Sequence, residues 1–185
     1  MLRPCLLAAA VAATIAPASA QHPPAPQKSP SPQELSRDSS TASAAFIDPA
    51  GQSIGKATLR PAEEGVLLEV EVSGLPANQW VAFHIHENGT CDPKTKFKSA
   101  GGHFNPSDQE HGFLADGGPH AGDMPNQYIP ADGTLRAHVF NDYISLGDGD
   151  ADVKGKAIII HDGRDDYRSQ PTGDAGGRLA CAVIK

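Results

Sequence analysis

Between Val66 and Val72, apolar and charged residues alternate: Val66, Leu68, Val70 and Val72 stand against Glu69 and Glu71. A period of two puts the two sets on opposite faces of an extended chain, so the segment is stable only as a strand half buried in an antiparallel sheet. Short runs of the same kind occur at 53–59, 80–86, 134–140, 156–161 and 180–184. With 19 glycines, 16 prolines and 5% aromatic residues, the composition favours turns over long helices, and the expectation is an all-β domain. At 185 residues there is room for one domain with a real core, which excludes a large multidomain enzyme. Two stretches dense in Gly, Asp, Pro and His, 87–129 and 162–178, separate the strands. Connections that long in a compact domain need something to order them, and function or a bound ligand is the usual reason.

The first twenty residues do not belong to this domain. A basic start with Arg3, an apolar run from Cys5 to Ala16 and the small triplet Ala18, Ser19, Ala20 form a secretory leader with cleavage expected before Gln21. The apolar run is well short of the roughly 20 residues of a spanning helix. Residues 21–43, rich in Pro, Ser, Gln and Ala, read as an extended tether, and 44–185 as the folded domain. The exported chain is therefore expected to lie free of the membrane, in the periplasm or otherwise secreted. The 15 basic and 22 acidic residues give −7, and losing Arg3 with the leader gives −8. Nothing in that balance favours nucleic acid or an anionic membrane surface. Export also removes Cys5, leaving Cys91 and Cys181, which should pair in an oxidising compartment.

The eight histidines carry the chemistry. In the strand at 80–86, Val81, Phe83 and Ile85 share one face while His84 and His86 share the other, presenting two imidazoles to one metal ion or simply to solvent. The long stretch that follows supplies His103, His111, His120 and Asp123. Three imidazoles and a carboxylate complete a tetrahedral zinc set with no position left for water, which is the pattern of a structural site. Such a site would order its loop, because binding free energy is folding free energy for the segment that supplies the ligands. His161 ends another apolar strand and, with His84 and His86, makes a nitrogen-rich group suited to copper or zinc. His138, in a strand of its own, and His22, in the tether, read as solvated.

Four stretches carry a resemblance: Ala82-Phe83-His84-Ile85-His86-Glu87, Gly101-Gly102-His103-Phe104-Asn105-Pro106, Gly118-Pro119-His120-Ala121-Gly122-Asp123, and Gly173-Asp174-Ala175-Gly176-Gly177-Arg178-Leu179-Ala180-Cys181. In these the domain resembles the secreted bacterial copper/zinc superoxide dismutases. The resemblance implies a flattened eight-stranded Greek-key barrel with two long loops. It implies one copper per subunit on His84, His86, His103 and His161, and one zinc on His103, His111, His120 and Asp123, with His103 shared. It further implies that Asp165 joins His84 to His111, that Arg178 guides the anionic substrate, superoxide, and that a Cys91–Cys181 disulfide pins the metal loop to the barrel. Bacterial members occur as dimers or monomers, so a homodimer stays open.

Two rival functions remain at this level. A hydratase or hydrolase could use one catalytic zinc at His84 and His86, but that leaves the second ligand set, Arg178 and the disulfide unexplained. A non-enzymatic exported copper/zinc-binding protein would be expected to lack copper ligands or the arginine. Because Asp162, Asp165, Asp166 and Asp174 crowd the loop around Arg178, substrate steering falls instead to Lys94, Lys96 or Lys98.

Overall fold

The computed structural model describes residues 40–147 and 149–185; the expected leader and the expected tether up to residue 39 lie outside them. Eight strands account for the architecture: β1 (Ala42–Ile47), β2 (Ser53–Pro61), β3 (Val66–Val72), β4 (Gln79–His86), β5 (Asp123–Ile129), β6 (Leu135–Asn141), β7 (Ala157–His161) and β8 (Arg178–Ile184). Two short 3-10 turns, Pro93–Thr95 and Lys98–Ala100, are the helical elements among the described residues. The strands form one antiparallel sheet in the order β5-β4-β7-β8-β1-β2-β3-β6. Its edge strands β5 and β6 approach each other, so the sheet curls into a nearly closed barrel. The β3–β4, β5–β6 and β6–β7 connections join strands that are not neighbours, which makes the topology a Greek key.

The alternation in β3 works as expected: Val66, Leu68, Val70 and Val72 are buried and Glu71 is exposed. Their inward row meets Leu59 of β2 and Val139 of β6 across the sheet. With Phe46, Phe83, Ile85, Ile158 and Ile160 they fill the barrel interior. β7 differs because both of its faces are covered. Ile158 and Ile160 point into the barrel, while Ala157 and Ile159 pack outside it against Phe97, Ala100 and Cys181. That outer cluster exists because the chain between β4 and β5 folds back over the sheet.

Two strands lie where the sequence pattern is weak. β1 buries Ala42, Ala44 and Phe46 in alternation, but alanines carry little apolar contrast. It begins two residues before the boundary expected at 44. β5 occupies the end of the expected long loop; Pro125 and polar residues hide it, and it is an edge strand paired with β4 through a register shift.

Leu68 is fully buried and Phe140, on β6, is half exposed. Leu68→Ala should therefore cost about 2–5 kcal/mol of unfolding free energy in urea titration, while Phe140→Ala should stay within about 0.5 kcal/mol.

Candidate metal centre

β4 places His84 and His86 on the face opposite Phe83 and Ile85, and the long connections cover that face, so both imidazoles are completely buried. They are not the surface pair that the alternation alone allows. His161, at the end of β7, lies on the neighbouring strand, since β4 and β7 pair from Phe83 to His86. His103 joins them through an isolated bridge with His86. The ligand atoms of His84, His86, His103 and His161 lie within 4.8 Å of one another. A second group, His103, His111, His120 and Asp123, meets the same limit, and every member of both groups is buried. His103 belongs to both. His138 is exposed on the outer surface of β6, and His22 falls outside the described residues.

Hydrogen bonds fix which nitrogen of each ring is free. His84 Nε2 donates to Asp165 Oδ2 at 2.8 Å, and His86 Nδ1 donates to the Gly101 carbonyl at 3.0 Å. His103 Nδ1 faces Asp123 Oδ1 at 2.8 Å. That leaves His84 Nδ1 and His103 Nε2 buried without a hydrogen-bond partner, and His161 Nδ1 has none either. His86 Nε2 and His161 Nε2 point at each other across 3.3 Å. Buried polar atoms are almost always satisfied, so several orphaned or facing imidazole nitrogens in one spot fit a metal ion that accepts their lone pairs. Nitrogen donors alone suit copper or zinc; nitrogen plus carboxylate suits zinc.

The electrostatics agree with two different roles. Burial pushes His86 well below the ordinary histidine value, helped by the neighbouring His103 and His161 rings. Burial does the same to His161, and His84, His103 and Arg178 add to it. His103 is lowered to about 4, chiefly by burial, although its hydrogen bond to Asp123 opposes this. These rings are held neutral, the form that can coordinate. Burial disfavours the charge on Asp123, but hydrogen bonds from His103, His111 and His120 outweigh it and hold the carboxyl far below the usual range. Its Oδ2 also accepts the backbone N–H of Gly112 at 2.9 Å and of His120 at 3.0 Å, tying three points of the loop to one carboxylate.

Asp165 connects the groups. Its Oδ2 accepts from His84 and its Oδ1 accepts from His111 Nε2 at 3.0 Å. Burial opposes its ionisation, but the His111 and His84 hydrogen bonds hold it below the usual carboxylate range. Placed between Asp123 and Asp165, His111 rises to about 9 despite its burial. Gly173 makes the approach possible: its φ is +68°, and a Cβ there would collide with the Asp165 carboxylate and the His111 ring.

Arg178, at the start of β8, reaches back to the loop after β4. Its Nη1 donates to the Phe97 carbonyl at 2.6 Å and its Nη2 to the Gly101 carbonyl at 2.7 Å. The Gly101 carbonyl therefore orients both Arg178 and His86; it is aimed there by a residue with φ +76°. Arg178 lines a cavity of about 510 Å³ with Lys96, Lys98 and Asp162, whereas Lys94 does not. Cys91 and Cys181 form a disulfide with a Cα–Cα distance of 5.6 Å, joining the start of this loop to β8 three residues beyond Arg178. The bridge closes 90 residues, worth roughly 4 to 5 kcal/mol in the chain-entropy account. Two residues with no sequence signal also belong here: Asn126 and Gln170 each clamp the backbone beside this centre.

Residues 53–184 match the family described as copper/zinc superoxide dismutase. A superoxide dismutase [Cu-Zn] of Aquifex aeolicus is 49% identical over 148 residues, covering 78% of this chain and 86% of that protein. The one from Caulobacter vibrioides is 40% identical over 73% of this chain and 80% of its own length. Among solved structures, a superoxide dismutase-like protein from Bacillus subtilis superposes with a TM-score of 0.73 at 33% identity, over 77% of this chain and 97% of that one. The copper/zinc enzyme of Brucella abortus gives 0.66 at 27% identity, over 78% and 99%. A match through all but the first of the eight strands, with relatives approaching half identity, settles what the paired ligand groups could only suggest: the chain belongs to the copper/zinc superoxide dismutase family.

Proposed function

We propose that the chain converts two superoxide anions and two protons to oxygen and hydrogen peroxide at the His84, His86, His103 and His161 group, which holds copper, beside a structural zinc on His103, His111, His120 and Asp123. The observation that carries this reading is the shared His103, whose Nδ1 is engaged with Asp123 while its Nε2 stands unpartnered toward the other group. When bound, copper supplies the one-electron couple that dismutation needs, and zinc, which has no redox chemistry, supplies a fixed charge on the shared ring.

The chain's own residues do the rest. His103 is held from the Asp123 side, so a proton carried at Nε2 points into the copper group and can be passed to the reduced anion there. Asp165 fixes His84 with Nδ1 free, and Gly101 fixes His86 with Nε2 free, so neither ring must reorient during turnover. Arg178, held by two carbonyls, places a cation in the mouth of the cavity where a small anion docks. Lys96 and Lys98 line the same mouth, and they add to its field despite the chain's net negative charge, because distant charges are screened beyond roughly 8 to 10 Å. A bare metal-carrier role needs neither the arginine nor a complete copper set, and this chain has both. Bacterial relatives and the Cys91–Cys181 disulfide support an exported, periplasmic location.

The direct test is superoxide decay with the mature protein as apoprotein, with zinc alone and with copper plus zinc. Fast decay only with copper is expected, and stable loading of both metals without decay would contradict the reading. His161→Ala should abolish decay while zinc stays bound, and retained activity would remove His161 from the copper set. Asp123→Ala should release zinc and lower the melting temperature more than it lowers the initial rate of copper-loaded protein; the reverse order would make the zinc group catalytic. Reversing charge at Lys96 and Lys98 to Glu should flatten the ionic-strength dependence of the rate, whereas Lys94→Glu should leave it nearly unchanged.

A further inference from the structure

The His111–Asp165 hydrogen bond joins two separate loops, and each partner is held by a side-chain carboxamide from elsewhere. His111 is fully buried, so its backbone cannot rely on bulk water. Its N–H donates to Gln170 Oε1 at 2.8 Å, and its carbonyl accepts from Gln170 Nε2 at 2.9 Å. Asp165 is 1% exposed and is treated the same way from the opposite side. Its N–H donates to Asn126 Oδ1 at 2.8 Å, and its carbonyl accepts from Asn126 Nδ2 at 2.8 Å. Each carboxamide thus imitates one rung of a β-ladder, satisfying both backbone groups of a residue that lies outside any strand.

The two clamps sit on different supports. Asn126 belongs to β5, and its own backbone N–H donates to the Tyr167 hydroxyl at 2.8 Å. Gln170 belongs to the second loop and reaches into the first, with its Nε2 also donating to Arg168 O at 3.1 Å. Asp165 is therefore placed relative to the barrel, and His111 relative to the second loop. Only when both are placed can one carboxylate reach His84 and His111 together.

We propose that Gln170 and Asn126 are positioning residues for the metal centre: their paired clamps hold the second loop in register with the first so that Asp165 spans the two ligand groups. This rests on the assignment of His111 to zinc. Gln170 is itself largely exposed and touches no ligand atom, so replacing it removes the clamp without opening the core. Its loss leaves the buried N–H and carbonyl of His111 unpaired, and the cheapest relief is a shift of His111 away from the zinc position.

The test uses full-length mature protein loaded with zinc, and separately with cobalt(II) as a visible probe of the same group. Gln170→Ala should speed zinc loss to a chelator by about tenfold or more and shift the cobalt absorption bands, in line with the usual weight of residues that orient ligands. Gln170→Glu keeps the size and one acceptor but loses both donors, and should behave like Gln170→Ala. Asn126→Asp should move the same two readouts. Because both clamps serve one hydrogen bond, the Gln170→Ala, Asn126→Ala double variant should speed zinc loss by less than the product of the single effects. Zinc loss and cobalt bands unchanged in folded Gln170→Ala would overturn the proposal. Loss of the fold in both Gln170 variants would overturn it too, since Gln170 would then determine folding rather than position. Zinc uptake left unchanged by His111→Ala in otherwise wild-type protein would overturn the zinc assignment itself, a result separate from any behaviour of Gln170.

Discussion

His103 presents Nδ1 to Asp123 at 2.8 Å and an unpartnered Nε2 to three further imidazoles, and nearly every unusual feature of the chain serves to hold this one ring from both sides. A buried imidazole with a free lone pair is costly unless something accepts it. Concentrating several of them in one place is tolerable only when a metal ion is the intended partner. The same donors then tie the segment between β4 and β5 to the barrel, which explains how a Gly-rich connection keeps a defined path.

The barrel supplies rigid points and the loops supply reach. β4 and β7 are neighbours, and both are buried on their outer faces as well as their inner ones, so His84, His86 and His161 start from a backbone that cannot move far. His103, His111 and His120 start from loop and depend on Asp123, the first residue of β5, to gather them. Asp165 and the Cys91–Cys181 bridge then fasten the two long loops to each other and to β8. Arg178 gains its position from the same bridge region, through the Phe97 and Gly101 carbonyls. The Gly101 carbonyl thus holds both Arg178 and His86, so in the proposed reading substrate docking and ligand orientation share one acceptor.

Much of this was legible in the sequence, for reasons that can be stated. Apolar alternation marked β3 because Val and Leu contrast sharply with Glu, and the His-x-His pair in β4 stood out because both imidazoles fall on one face. β1 escaped because alternating alanine gives little contrast, and β5 because an edge strand tolerates Pro125 and polar residues. The two histidine groups could be assembled from residue type and order, whereas the sharing of His103 and the place of Asp165 came only through resemblance to a family. Asn126 and Gln170 carried no signal at all. A carboxamide that clamps a backbone looks like any other Asn or Gln until the partner segment, about forty residues away for Asn126 and about sixty for Gln170, is folded beside it.

The central claim is that one imidazole serves two metal ions of different kinds. Anomalous diffraction from crystals of the metal-loaded protein, recorded at the copper and zinc edges, tests it most directly. The account predicts a copper peak among His84, His86, His103 and His161, a zinc peak among His103, His111, His120 and Asp123, and density linking each to an opposite nitrogen of His103. Metal peaks that leave His103 bound to one ion only in the oxidised protein, or that place copper away from His161, would contradict it.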